Sequence, residues 1–399
     1  MDVRNFNEVL GFGDGYVETE GMITYEDLVA ACLPRGVMPA VVPQLKTITL
    51  GGALAGVGIE SSSHRHGLVH DTVLEFDVLL GDGRVVTCTP ANEHADLFFG
   101  FPNSYGTLGY ALRVKAQTIP VRPYVRLEHK GFTDKELFFA ELGRVLREGR
   151  SDFVDGTVFG ERKMFLTLGT FTDTAPYTSD YTFEKIYYRS IAERPEDYLT
   201  IHDYLWRWDT DWFWCSKNVF AQNWFARRFL FGERRLGSKT YTKIMRWNSR
   251  VGVTKKVERI LGLHSESVIQ DVDIPLARAA EFLDFYARNI ALWPQWVCPI
   301  GASQSRSFTL YPMRSDWYVN FGFWDVKRTK DAHPPGHFNR LIENKVVELG
   351  GIKSLYSDSF FPQEEFERLY GGDKYQELKR KYDPACAFPG LYEKCVLRR

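Results

Sequence analysis

The chain has 399 residues, 44% of them hydrophobic, enough to bury one large or two medium cores and too apolar for a disordered chain. Its 50 Lys and Arg against 51 Asp and Glu leave a formal charge of −1, which gives no support to a general nucleic-acid binder. Aromatic residues make up 15%, a share suited to flat, greasy or π-rich ligands.

Asp2 to Leu10 already reads as structured sequence, so the chain is expected to begin inside a domain. Thr24 with Asp27, followed by Leu28, Val29 and Ala31, has the form of an N-cap opening a short helix that ends near Gly36. Gly81-Asp82-Gly83, between Phe76–Leu80 and Arg84–Thr87, predicts a hairpin. After Pro120 and Pro123 the texture changes. A long amphipathic helix over Asp134–Glu148 alternates with strands at Phe153–Phe159, Val268–Ile274 and Tyr318–Phe323, the order expected of an antiparallel sheet with helices on one face. The fold class is therefore α+β. The six cysteines are far apart with no CxxC pair, which suits a reducing compartment. With neither a signal-like opening nor an 18-residue apolar run, the expected location is cytoplasmic, with peripheral membrane attachment left open.

The densest signal is Thr47-Ile-Thr-Leu-Gly51-Gly52-Ala-Leu-Ala-Gly56-Val-Gly58-Ile59-Glu60-Ser61-Ser62-Ser63-His64-Arg65-His66-Gly67. Glycines in this density let a backbone approach a ligand closely, although such loops are more often plain turns. The run lacks the third glycine of a dinucleotide fingerprint, and no helix pattern follows it. Together with Val42-Pro43-Gln44-Leu45-Lys46, Gly81-Asp82-Gly83 and Pro102-Asn-Ser-Tyr-Gly106-Thr107-Leu108-Gly109, it resembles the flavin domain of the vanillyl-alcohol-oxidase (PCMH-type) superfamily. Within that superfamily the Δ24-sterol reductase branch is most similar. The likeness continues through Gln270-Asp271-Val272, Trp296-Val-Cys298-Pro299, Leu355-Tyr356-Ser357-Asp358 and Ala387-Phe388-Pro389. The middle stretch around Ile186–Ser190 and Thr200–Ser216 resembles bacterial members that reduce a methylene branch on a fatty-acyl chain.

The resemblance implies a PCMH-type FAD domain over 1–121 and a substrate or cap domain over 122–399 whose C-terminal segment returns toward the flavin. It implies that Thr49, Gly51, Gly52, Gly56, Gly58, Ile59, Glu60, Ser61, Ser62, Ser63 and Gly67 line non-covalent FAD, with Gly106, Thr107 and Gly109 on its other side, and NADPH as reductant. The family carries a further small αβ segment ahead of the residues matching Met1–Gly15, which supplies part of the diphosphate site. His64, His66 and His70 cluster locally, but no metal site is expected of them. His66 or His70 beside the flavin as a proton relay is the remaining functional reading.

Between His202 and Trp214 lie Trp206, Trp208, Trp212, Trp214, Tyr204 and Phe213 with three Asp. A satellite core with exposed acids is the bland reading. A substrate wall is the sharper one, because protonating an isolated alkene leaves positive charge that aromatic faces and carboxylates stabilise. Trp224–Arg259 carries eleven Lys and Arg (Arg227, Arg228, Arg234, Arg235, Lys239, Lys243, Arg246, Arg250, Lys255, Lys256, Arg259) interleaved with aromatics. That combination suits an anionic membrane surface better than nucleic acid, with a merely solvated helix face as the alternative.

Adding H2 across a carbon–carbon bond requires a hydride and a proton from a positioned acid. The candidate acids are Tyr356, Asp358 and Asp211, with Tyr356 preferred and Asp209 and Tyr204 as further possibilities. The expected activity is FAD-dependent reduction of an isolated C=C bond in a lipid, sterol or fatty-acyl. The alternatives are an FAD-dependent alcohol or lactone oxidase and a non-catalytic lipid-binding protein.

Overall fold

The computed structural model of the chain describes residues 3, 5–251, 262–302 and 306–399. Strands β1 (Val9–Gly13), β2 (Tyr16–Glu20), β3 (Val37–Pro39), β4 (Val73–Leu79), β5 (Val85–Cys88) and β6 (Tyr110–Pro120) form the first sheet. Its order is β1-β2-β6-β4-β5, with β3 also on β6, and every pairing is antiparallel. The predicted hairpin is the β4–β5 pair, closed by Gly83 at φ +88°, where a side chain would be strained. Thr24 caps the helix Tyr25–Cys32 by accepting from Asp27 N, and a 3₁₀ turn carries the chain to Gly36.

The second sheet contains β7 (Tyr124–Phe132), β8 (Phe153–Gly160), β9 (Lys163–Thr172), β10 (Glu196–Thr200), β11 (His264–Pro275), β12 (Gln295–Gly301), β13 (Trp317–Thr329) and β14 (Ile352–Lys353). Its order is β10-β7-β9-β8-β12-β13-β11-β14, antiparallel throughout. Three helices, Lys135–Glu148, Ala279–Asn289 and His337–Glu348, cover one face. The first is capped by Asp134, which accepts from Leu137 N, and buries Phe138, Phe139, Leu142, Val145 and Leu146 on one stripe. Each such side chain contributes roughly 1.5–3 kcal/mol of burial.

Alternation along the strands decides what the other face carries. In β11, Val268, Val272 and Ile274 point into the helix-covered core, so Asp271 and Asp273 point the opposite way. In β13, Val319, Phe321 and Phe323 join that core, leaving Asn320, Gly322 and Trp324 beside the two acids. This second face meets the first sheet and the aromatic segment in one continuous apolar cluster that includes Trp208, Trp214, Trp296, Val17 and Leu28. Late in the chain, the helix Gly372–Tyr382 returns to the first sheet's side, where Lys379 Nζ donates to Thr107 O at 2.9 Å.

Candidate active site

A cavity of about 440 Å3 opens where the glycine-rich stretch faces the acid-bearing side of the second sheet. One wall is built by Pro43, Gln44, Leu45, Ile48, Thr49, Gly52, Ala53 and the run from Gly56 to Ile59. Here the structure corrects the reading of that segment as loop, since Leu50–Ala55 is a short helix capped by Thr49, whose Oγ1 accepts from Gly52 N at 3.1 Å. Gly58 is needed for close approach. A Cβ there would lie 2.6 Å from Val69 Cγ2 and 3.1 Å from Pro43 Cγ.

The opposite wall is Trp212, Phe213, Trp296, Trp324, Tyr105, Tyr356 and Asp271. Trp212 and Phe213 hold φ of +41° and +57°, a left-handed pair that ordinary side chains avoid at roughly 1–3 kcal/mol each. Their rings are held by neighbours: Phe213 packs on Trp208 and Trp324, and Trp212 stacks on Tyr241. Trp324 Nε1 donates to the Tyr356 hydroxyl at 2.9 Å, which leaves the phenolic proton free to donate elsewhere.

Behind Tyr356 sit two carboxyls, that of Asp273 fully buried and that of Asp271 half-buried on the cavity wall. Asp273 accepts from Tyr311 OH and from Asn320 Nδ2, both at 2.7 Å. Burial pushes its carboxyl up to about 6, opposed by those two donors. Asp271 is pushed up to about 7 by burial and by the charge of Asp273, opposed by Tyr356 and Asn320, and its Oδ1 has no partner. Gly322, opposite Asp271 in the ladder, leaves the room both walls need, because a Cβ there would lie 2.7 Å from Asp271 Oδ1 and 2.6 Å from Trp324 Cη2.

A second buried cluster joins the two sheets beneath the cavity. Arg207, fully enclosed, donates at 2.8 Å to both Glu60 Oε1 and Asp155 Oδ2. Gln44 Nε2 and Ser61 Oγ also donate to Glu60, and Trp296 Nε1 donates to Asp155. Gln44 and Trp296 are themselves on the cavity wall, so this network fixes two of its faces.

Of the sequence-predicted cofactor residues, the cavity gathers Thr49, Gly52, Gly56, Gly58 and Ile59. Gly51 packs against Gly21, and Glu60 and Ser61 belong to the Arg207 network. Ser62 Oγ donates to Ala40 O, Ser63 Oγ accepts from Glu60 N, and Gly67 packs on Asp71. Gly106, Thr107 and Gly109 lie off the wall: the Tyr375 hydroxyl donates to Thr107, and Gly109 is packed against Val78 and Leu79. His64 is held between the carbonyls of Ser61 and Ser151, and His70 is buried against Phe308. Neither lines the cavity, nor does His66.

Among the proposed acids only Tyr356 faces the cavity. Asp358 is exposed and paired with Arg398, and Asp211 is buried against Arg227 at 2.7 Å. Asp209 and Asp211 are thus not the exposed acids of a satellite core. Among the four tryptophans Trp212 lines the cavity, Trp214 packs behind Trp324, Trp208 packs on Tyr187, and Trp206 lies under Lys46. Sequence reasoning assigned no role to Asp271, Trp324, Gln44 or Tyr105. Two acids spaced i, i+2 and alternating with Val272 and Ile274 were the available signal for the first.

The basic segment needs one correction. Arg227 is not a surface cation: a π-helical turn over Ala226–Phe231 folds it inward onto Asp211, where it is 2% exposed. Arg228, Arg235, Lys239 and Lys243 are exposed, as are Phe220, Trp224, Phe225, Phe229, Leu230 and Trp247. The side chains of Arg234, Arg246 and Arg250, and residues Lys255, Lys256 and Arg259 altogether, lie outside the described set. Among the described residues no helix is long and apolar enough to cross a membrane, and no group of three His, Cys, Asp or Glu could hold a metal.

Residues 1–89 match the FAD binding domain family. The chain is 28% identical over 398 residues to the human Delta(24)-sterol reductase, covering 95% of this chain and 73% of that protein. It is 24% identical to the Delta(24)-sterol reductase of Pisum sativum over 99% of the chain and 76% of the relative. A shorter likeness, 31% over 36% of the chain and 28% of the relative, is to cytokinin dehydrogenase 7 of rice. The cavity suits the cofactor these likenesses imply. Its front wall lacks side chains at Gly52, Gly56 and Gly58, and Gln44 keeps a buried, unpartnered Oε1 acceptor there, as an imide N–H of a flavin ring requires. An FAD-binding front, an antiparallel cap and similarity to the sterol reductases over most of the chain together make this protein an FAD-dependent oxidoreductase, similar to the Δ24-sterol reductases.

Proposed function

We propose that the protein reduces an isolated carbon–carbon double bond in a lipid, either a methylene-branched fatty-acyl chain or a sterol side chain. The observation that carries this reading is the cavity itself: apolar and aromatic walls around one carboxyl, Asp271, and the phenols of Tyr105 and Tyr356, with no Lys, Arg or His among the described residues that line it. FAD, when bound and reduced by NADPH, supplies a hydride. Thr49, Gly52, Gly56, Gly58 and Ile59 would hold it, with Gln44 at its polar edge. The protein's own task is to bind an oily tail, exclude water and hold one proton at the Tyr356 hydroxyl, within reach of one alkene carbon. Positive charge developing on the other carbon is stabilised by the faces of Trp212, Trp296 and Trp324.

The exposed rings of Trp224, Phe225 and Phe229 beside Arg228 and Arg235 support docking on an anionic bilayer. Tyr241, which stacks on the cavity residue Trp212, also packs on Phe231, so this surface adjoins the cavity wall. The test is a comparison of lipid extracts from cells with and without the gene. A lipid two hydrogens heavier only where the gene is present supports the reading, and identical extracts from cells containing an unsaturated sterol and a methylene-branched phospholipid overturn it.

A further inference from the structure

A phenol alone is a poor acid for an alkene, since its ordinary pKa is about 10 and a neighbouring carboxylate raises it further. The structure supplies a better source directly behind it. Asp271 lies against the Tyr356 hydroxyl, lines the same cavity, and leaves Oδ1 without a partner. Its neighbour on the same strand face, Asp273, has its carboxyl satisfied by Tyr311 and Asn320. We propose that Asp271 is the proton reservoir of the site, re-protonating Tyr356 as Tyr356 gives its proton to the substrate. This deepens the reading of the protein as a lipid alkene reductase and rests on it.

The geometry makes the direction of donation depend on Asp271. The Tyr356 oxygen already accepts from Trp324 Nε1. When Asp271 is protonated, its O–H fills the second lone pair of that oxygen and the phenolic proton is turned into the cavity. When Asp271 is ionised, the phenol donates to it and the cavity loses its donor. In the forward step the alkene π pair forms a C–H bond with the phenolic proton while the Asp271 O–H bond breaks toward the phenolic oxygen. The reaction leaves Asp271 a carboxylate, and the hydride from the reduced flavin neutralises the other carbon. The titratable groups acting on the pair are Asp273, Tyr105 and Tyr311 through Asp273. Among the described residues none of the groups acting on the Asp271 carboxyl is a cation. Two carboxyls two residues apart on one strand face, one buried and one half-buried, cannot both ionise cheaply, and the one with unfilled hydrogen-bonding capacity keeps the proton.

Two measurements test this. Infrared titration of the holoenzyme without lipid should show a protonated-carboxyl band that persists at pH 6, disappears near pH 7, is absent in Asp271→Asn and shifts its midpoint in Tyr356→Phe. Single-turnover reduction by pre-reduced holoenzyme is followed on vesicles carrying a methylene-branched phospholipid, and separately on a Δ24-unsaturated sterol. The wild-type rate should fall as pH rises through 7. Asp271→Asn should lose about 10²-fold with a flat profile, and the double variant with Tyr356→Phe should be no slower than the worse single. An Asp271→Asn variant with the wild-type rate and profile, or no carboxyl band above pH 5 in the wild type, overturns the proposal alone. A wild-type enzyme that reduces neither probe overturns the reductase reading, and the reservoir with it.

Discussion

Two groups of buried acids flank this cavity and are treated in opposite ways. Glu60 and Asp155 share a fully enclosed Arg207 and receive further bonds from Gln44, Ser61 and Trp296. Among the described residues Asp271 and Asp273 have no arginine or lysine beside them, only hydroxyl and amide donors, and Asp271 is left partly unsatisfied. The first arrangement is what a fold does with charge it must bury between two sheets: the two carboxyls share one cation and further donors, and the group is fixed. The second leaves a proton where a cation would have gone. An acid held away from bulk water without a cation is unfavourable for stability, and the position of half-buried Asp271 on the cavity wall is what marks it as chemical rather than structural.

Breaking the first cluster should have the largest effect. Arg207→Met strands two carboxylates in the interface between the sheets and should destabilise the protein by roughly 3–5 kcal/mol, read by urea unfolding. A loss under 1 kcal/mol would mean that Glu60 and Asp155 do not depend on the cation. Gly322→Ala acts next, on the second cluster. Its methyl would collide with Asp271 Oδ1 and Trp324, and a rigid site should answer with a loss of about 1–3 kcal/mol and a moved Asp271 titration. An unmoved titration would show that the carboxyl has room to turn away.

Asp271→Asn should sharpen the contrast, because its predicted sign is opposite. The carboxyls of Asp271 and Asp273, raised to about 7 and about 6, keep protons in the folded protein that the unfolded chain releases above its ordinary value of ~4. Between those values the folded state binds more protons, so this pair makes stability fall as pH rises from about 4 to 7. Removing one acid should therefore stabilise the protein at pH 8, on the order of 1–2 kcal/mol, and change nothing at pH 4. A variant that is more stable yet slower would carry the signature of a residue kept for function. Destabilisation at both pH values would make Asp271 a structural residue.

The elements were largely legible because their signals are local. Thr24 and Asp134 stand where capping chemistry puts them, and the strands around Val268 and Tyr318 announce themselves by apolar content. The helix Leu50–Ala55 was not legible, since Gly51-Gly52 is poor helix sequence. It forms because Thr49 caps it and Gly51 N bonds to Gly21 O, a contact across the fold. The cavity wall was half legible for the same reason. Gly52, Gly56 and Gly58 are dense enough to read, but Asp271 becomes meaningful only when the β11–β13 register sets it opposite Gly322 and beside Tyr356.

Arg227 and Arg228 carry the same contrast into consecutive residues, and give the smallest predicted effect. Nothing in the sequence separates them, but the π-helical turn sends Arg227 inward to Asp211 and leaves Arg228 outside, paired with exposed Glu184 and lying over the Trp224 ring. An exposed cation near an anionic bilayer contributes about 1 kcal/mol, less whatever its surface pair withholds. Arg228→Gln and Arg235→Gln should each weaken binding to anionic vesicles by up to about fivefold to tenfold, additively, with melting temperature unchanged. Arg227→Gln should instead lower the melting temperature, because among the described residues it leaves buried Asp211 with Ser216 as its one hydrogen-bond donor. Vesicle sedimentation across a salt series separates the two classes. If binding ignores salt and both exposed arginines, the aromatic rings alone hold the surface, and the charge of this segment is a solvated face.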